Sequence, residues 1–263
     1  MGDRVSGLTS TASAPAWDAA EGVTVYLGLD DTDVLHDGGT GALARSLARL
    51  VVTALPGSRL EGVSRHQLLR DPRVPCTRRN RCSCVVVRIE RRRMDDLRRL
   101  GRAHVLERSV VGSDPGYCVL EEAQIGSEVI AFARLAKREL VEQRTALSLA
   151  SAMGIHLEPL GGTGDGVIGA LAAVGLRRGG DDGWLTLWGR IREIDGALSV
   201  GRLLEEGLDA VEDERGRPLS TDEAVQTGGR MRPALHRGRR VLVVRRSLES
   251  GAWHPVKTEA RRE

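Results

Sequence analysis

Lysine is almost missing from this chain: Lys137 and Lys257 are the only two in 263 residues, so nearly all positive charge is guanidinium. Arginine suits bidentate contact with phosphate or carboxylate, although biased codon usage explains the same imbalance. Also absent is an excess of one charge sign. Thirty-nine basic residues face 36 acidic ones, leaving a net charge of +3, which excludes a uniformly basic nucleic-acid clamp and leaves local patches to carry any such role. No apolar run approaches the roughly 20 residues that cross a bilayer. Cys76, Cys82, Cys84 and Cys118 lack the paired C-x2-C spacing of a zinc ribbon, and no secretory leader is visible. Reduced thiols, a cytoplasmic location, no membrane and no zinc are therefore expected. The Lys-Ser/Thr pair of a Walker motif is missing from every glycine-rich stretch.

What is present reads as alternating strands and helices. A Ser/Thr/Ala-rich tail over residues 1–20 reads as disordered. The patterning then predicts strands near 23–29, 59–68 and 82–89, and helices over 41–55, 94–106, 127–153 and 167–174. Residues 70–81, polar and carrying two prolines, read as a loop. The expected fold is α+β with α/β-like character: a mixed-sheet catalytic core over 21–176, and a small extension over 177–263 in which 241–244 is one clear strand.

Four stretches could carry chemistry. Asp30, Asp31 and Asp33 stand at the carboxyl end of the first strand, where open sheets commonly bind ligands, and clustered carboxylates suit Mg2+. Strand alternation would set Asp31 and Asp33 on one side and Asp30 on the other. An ordinary acidic turn with Asp33 capping the helix accounts for the same residues. Gly38, Gly39, Thr40 and Gly41 open the next helix with unhindered amides that could receive a phosphate, or form a plain turn capped by Thr40. Gly164, Asp165 and Gly166 belong to a second glycine-rich turn, which could cradle phosphate or serve close helix packing through Gly166 and Gly169. Arg78, Arg79, Arg81 and Asn80 form a basic loop able to grip a triphosphate or a nucleic-acid backbone. Arg91–Arg93 with Arg98 and Arg99 read as a solvated face.

Taken in order, Gly28-Leu29-Asp30-Asp31-Thr32-Asp33, Asp71-Pro72-Arg73-Val74-Pro75 running to Arg78 and Asn80, Ser113-Asp114-Pro115-Gly116, and the stretch Gly164 to Gly175 resemble archaeal tRNA(Ile) 2-agmatinylcytidine synthetase. The resemblance covers about residues 23–176 and implies a kinase-like domain with at least part of a ferredoxin-like one. It implies ATP-driven activation of a wobble cytidine and its conjugation to agmatine or a related amine, hence ATP, Mg2+, tRNA and agmatine as cofactors and partners. By the same resemblance Asp30, Asp31 and Asp33 are magnesium ligands and catalytic, Thr40 corresponds to a phosphorylated threonine, and Gly38, Gly39, Gly41, Arg78, Asn80, Gly164, Asp165 and Gly166 contact ATP or phosphate. The chain departs from the family where a Cys-Thr-Thr is replaced by Gly39-Thr40-Gly41, and no OB-fold or zinc ribbon is recognisable after Arg177. A shortened relative that phosphorylates or amidates a small molecule, and a non-catalytic ATP sensor, are the alternatives.

Overall fold

The computed structural model describes residues 22–32, 39–74, 79–229 and 231–256. The expected disordered tail, together with Asp33, Gly38, Cys76 and Arg78, lies outside them. Two chain segments build the first half. One runs β1 (Gly22–Asp30), α1 (Thr40–Ala54), β2 (Arg59–Gln67), β3 (Arg81–Glu90), α2 (Met94–Arg108) and β4 (Gly116–Glu121). The other adds α3 (Ser127–Arg138), α4 (Gln143–Met153), β5 (His156–Pro159) and α5 (Gly166–Gly179). The first six elements stand in spatial order β4-β1-β3-β2 with every neighbouring pair antiparallel, which is the ferredoxin-like split βαβ arrangement. The mixed α/β class expected from the sequence is the class observed.

Period-two alternation puts this sheet between two helical layers. Val25, Leu27 and Leu29 of β1, with Val85, Val87 and Ile89 of β3, pack under α1 and α2. Helix α1 presents Leu43, Ala44, Leu47, Ala48 and Val51 to them, a stripe with helical spacing. The other face carries Tyr26, Cys82, Cys84, Val86 and Cys118 beneath α3, α4 and α5. Burial pushes the Cys82 and Cys118 thiols up, and that of Cys84 to about 12, so all three are neutral packing groups.

After α5 the chain forms β6 (Trp184–Leu187), β7 (Ala197–Ser199), α6 (Val200–Glu205), β8 (Ala210–Asp213), β9 (Ala224–Gln226), β10 (Ala234–His236), β11 (Arg239–Arg246) and β12 (Trp253–Pro255). Its own core centres on Leu185, Leu203, Val211, Val225, Leu242 and Val244. Strand β6 pairs with β2, Arg65 opposite Trp184, so one sheet of twelve described strands runs through both halves. Apart from β11, these strands are three or four residues long, too short for alternation to reveal them in the sequence. None of the described helices is long and apolar enough to cross a membrane.

The single helix expected over 127–153 is two. Continued helical spacing from Val129, Phe132 and Ala136 would bury Leu140 in the same stripe, but it is 46% exposed. Helix α3 ends where tertiary bonds capture it: the Leu69 amide donates to the Ala136 carbonyl at 3.4 Å, and Lys137 turns its ammonium to the Gln67 carbonyl at 3.2 Å. The helix expected over 167–174 extends instead to Gly179, because Gly28 and Gly175 let its backbone settle on β1 and α3. A Cβ at Gly28 would stand 1.9 Å from the Ala170 carbonyl oxygen, and one at Gly175 would stand 2.4 Å from that of Val129.

These contacts are with backbone, which cannot swing aside. Gly28→Ala is therefore expected to cost about 3 kcal/mol or more in urea unfolding, whereas Gly179→Ala, with nothing nearer than 3.8 Å, should lie within roughly 0.5 kcal/mol of zero.

Candidate active site

β1 ends at Asp30, and the next residue breaks the strand: Asp31 adopts φ 47°, the left-handed region that aspartate tolerates better than most side chains. The alternation expected to separate Asp30 from Asp31 stops there. Both line a cavity of about 520 Å3 that opens at this strand end. The Asp30 carboxylate reaches it across α5, over Gly169, where a Cβ would meet Oδ2 at 1.7 Å. That glycine thus serves both the close packing and the seating of an acid.

Thr40, only 2% exposed, lines the same cavity from the first turn of α1. It does not cap the helix. Gly39 is the cap, at φ 72°, and Thr40 is the first helical residue; its hydroxyl lies 3.2 Å from that of Thr32 and accepts from the Thr32 amide at 3.5 Å. This pair ties the chain just after β1 to the first turn of α1. Gly41 packs beneath arginines and not on the cavity.

A carboxylate that sequence reasoning left off the site organises the second glycine-rich turn. Asp114 accepts the Thr163 amide on Oδ1 and the Thr163 hydroxyl on Oδ2 at 3.1 Å, while Gln143 donates to the Thr163 carbonyl at 3.1 Å. Gly162 at φ 58° is required because a Cβ would fall on the Asp114 carboxylate, and Gly164 at φ 84° lies against Gln143. Asp114, Gln143, Thr163, Asp165 and Gly166 all reach the cavity, and Gly166 meets Gly116 backbone to backbone. The close-packing reading of Gly166 and Gly169 therefore holds alongside a position at the cavity wall. The one signal for Asp114 was its place in Ser-Asp-Pro-Gly before a strand.

On the loop from Leu68 to Arg81, Leu68, Leu69, Arg73, Val74, Arg79, Asn80 and Arg81 also line the cavity. Asp71 binds the Arg73 amide and guanidinium at 2.8–2.9 Å, making Asp-Pro-Arg a self-contained clamp that presents Arg73. Asn80 lines the cavity, but its side-chain amide donates to the Leu69 carbonyl at 3.1 Å, and its own carbonyl accepts from Leu68 and Gln67, so it ties the loop shut. Arg81 donates to Gln67 at 2.9 Å and stacks 5.3 Å over Trp184. Acidic side chains at the strand end and arginines thus line one cavity. Among the described residues no three His, Cys, Asp or Glu side chains are gathered to ligate a metal alone.

Behind that loop a buried relay joins Ser64, His66, Asp182 and Lys137. His66 Nε2 lies 2.7 Å from the Ser64 hydroxyl, His66 Nδ1 lies 3.0 Å from Asp182, and Lys137 meets Asp182 at 2.5 Å. The order resembles a nucleophile triad, yet Ser64 and His66 are 0% exposed, so substrate cannot reach them. Burial depresses His66 against the pull of Asp182, keeping the ring neutral. The network then assigns the proton to Nδ1, donated to Asp182, with Nε2 accepting from Ser64. Burial alone would raise Asp182, but its bonds to His66 and Lys137 outweigh that and hold it ionised. The relay fixes the loop because Lys137 also grips the Gln67 carbonyl.

No protein-family model and no curated protein sequence matches the chain. Solved structures do. A complex of TiaS with an isoleucine tRNA and ATP superimposes with TM-score 0.51 and 26% identity over 58% of this chain, and a tRNA fluorescent labeling enzyme does so with the same values. Apo TiaS, the agmatidine synthetase for that tRNA, shares the fold at 24% identity and TM-score 0.50. The structural likeness is to TiaS. It spans 36% of the first two neighbours' own length.

Two outcomes follow. Asp114→Ala should abolish hydrogen-exchange protection of the Thr163 amide while lowering global stability by only about 1–2 kcal/mol. His66 binds fewer protons folded than unfolded, so its contribution is complete above its ordinary value of 6.5 and is lost as pH falls below it. Unfolding free energy should accordingly drop between about pH 7 and pH 5, and less steeply in His66→Gln, with His104 and His156, depressed in the same direction, supplying the remainder.

Proposed function

We propose that the chain is an ATP- and Mg2+-dependent enzyme that activates an acceptor by phosphoryl transfer, with a tRNA wobble cytidine as acceptor and agmatine or a related amine as the group conjugated. The observation that carries this reading is the convergence of Asp30, Asp31 and Thr40 with the Asp114-braced glycine turn on one cavity that Arg73 and Arg79 also line. Its volume lies inside the range of roughly 300–1,000 Å3 usual for small-molecule sites. The chemistry of the donor set fits the cofactors: Mg2+ takes one or two carboxylates and completes its shell with water and phosphate oxygens, so Asp30 and Asp31 suffice, with Asp33 as a third candidate. The likeness to a TiaS structure holding ATP and an isoleucine tRNA supports the same reading.

In this reading Asp30 and Asp31 hold the metal, Arg73 and Arg79 neutralise phosphate charge, and the positive end of α5 at Gly166 favours further phosphate oxygens. Bound ATP with Mg2+ supplies the activated phosphoryl group. The Thr40 hydroxyl, held by Thr32 at the cavity wall, is the protein group placed to accept phosphate. Residues 21–176 form the catalytic core and 177–263 the extension, in a cytoplasmic enzyme.

Mass spectrometry of tRNA nucleosides after incubation with ATP, Mg2+, agmatine and unmodified isoleucine tRNA tests the acceptor; an unchanged cytidine would discard it. Phosphate release without such a change would favour a small-molecule acceptor, and nucleotide binding without turnover a sensor. Asp31→Asn should lower Mg2+-dependent phosphate release by about 100-fold or more, and Thr40→Ala should abolish labelling of the protein by γ-labelled ATP while leaving nucleotide binding largely intact.

A further inference from the structure

The segment from β2 to β3, residues 68–80, brings Arg73 and Arg79 to the cavity, and a loop of this length is costly to hold in one conformation. Its closure runs through Gln67, the last residue of β2, which is only 6% exposed. The Gln67 side-chain amide donates to the Asn80 carbonyl at 2.7 Å and to that of Leu68 at 3.1 Å, while its Oε1 accepts from Arg81 Nε at 2.9 Å. One side chain thus bonds both ends of the loop. The Gln67 main-chain carbonyl accepts from Lys137 Nζ at 3.2 Å, and the Ala136 carbonyl, one residue earlier on α3, accepts from the Leu69 amide at 3.4 Å. The last turn of α3 therefore pins the start of the loop at two points.

Lys137 is held in its turn. Asp182 meets its ammonium at 2.5 Å on Oδ2 and lies 3.0 Å from His66 Nδ1 on Oδ1, so each carboxylate oxygen has its own donor. Lys137 is the one lysine among the described residues, where every other strong base is an arginine. An ammonium suits this place. Its three donors radiate from a single atom, so Nζ serves a carboxylate and a carbonyl on separate segments, whereas a planar guanidinium spreads its donors over a fork. Lys137 and Asp182 line a second cavity, of about 210 Å3, and neither lines the first. A ligand in the first cavity lies against the loop and not against the lysine.

We propose that Lys137 is a positioning residue for the phosphates of the nucleotide: with Asp182 it fixes Gln67, and through Gln67 it holds the loop that presents Arg73 and Arg79, without touching the ligand. The inference rests on the proposed function for the nucleotide and adds to it a residue outside the cavity. Affinity gains because the loop is ordered before the ligand arrives, so binding does not carry the cost of ordering it.

The test is a double-mutant cycle on Mg2+–ATP affinity, read by titration calorimetry of the full chain, that combines Lys137→Met with Arg73→Ala/Arg79→Ala. Lys137→Met alone is expected to weaken binding roughly tenfold, but by less than about twofold in the Arg73→Ala/Arg79→Ala background, where no guanidinium is left to present. Without nucleotide, amide hydrogen exchange at Leu68 and Leu69 should speed up in Lys137→Met while that at Val85 in β3 stays slow. Lys137→Met/Asp182→Asn leaves neither charge of the pair without the other, and should reproduce both results if the single variant does not fold. Equal fold losses in the two backgrounds would overturn the proposal, because they mark a general loss of structure; unchanged exchange at Leu68 and Leu69 would do the same. If wild type binds no Mg2+–ATP, the proposed function loses its nucleotide and the proposal falls with it. If wild type binds and Lys137→Met binds equally well, the proposal alone falls.

Discussion

Helix α5 lies on β1 with backbone against backbone, and the rest of the molecule is arranged around that contact. Gly28 and Ala170 touch two residues before the end of β1, Gly116 at the start of β4 touches Gly166 at the helix start, and Gly169 takes the Asp30 carboxylate where β1 ends. Any side chain at these positions would lift the helix. The site depends on the approach being this close, because it sets the first turn of α5 beside the carboxyl end of β1 and brings Asp30 and the glycine turn to one cavity. The same approach lets Gly175 admit α3, whose end forms the neighbouring wall.

Local breaks convert that packing into a site. Asp31 leaves the strand in a left-handed conformation, at a cost of about 1 kcal/mol or more for a non-glycine residue, and brings a second carboxylate to the side already occupied by Asp30. The break between α3 and α4 turns residues 139–143 into a wall of the cavity, including the Gln143 that holds the glycine turn. Asp114 and the Ser64–His66–Asp182–Lys137 relay brace the lining from two directions. The cavity is thus lined by close-packed residues of α5 together with Arg73 and Asn80, each tied by its own hydrogen bonds.

The second half of the chain is joined by strand pairing, with β6 continuing the sheet from β2. That join explains why arginines 45 and 232, far apart in sequence, act on one another. It also makes the extension a continuation of the same sheet and not a separate appendage.

Much of this was legible in the residues. Strands β1, β2 and β3 and helices α1 and α2 follow from alternation and helical spacing, because their apolar faces are long enough to show a period. The acidic strand end and both glycine turns were visible as composition, and their order carried the resemblance that the fold supports. The sequence by itself could not determine what those glycines face, since Gly169 and Gly28 look alike until the helix is placed and one proves to seat an acid. It showed Asp114 only as part of a motif without its tie to Thr163, and it could not find the partners of His66 nor stop α3 at Arg138. Each depends on contacts between residues distant along the chain, and periodicity reports which face is buried without saying what lies against it. The tertiary structure decided those pairings because only close packing brings such groups within hydrogen-bond or Coulomb range.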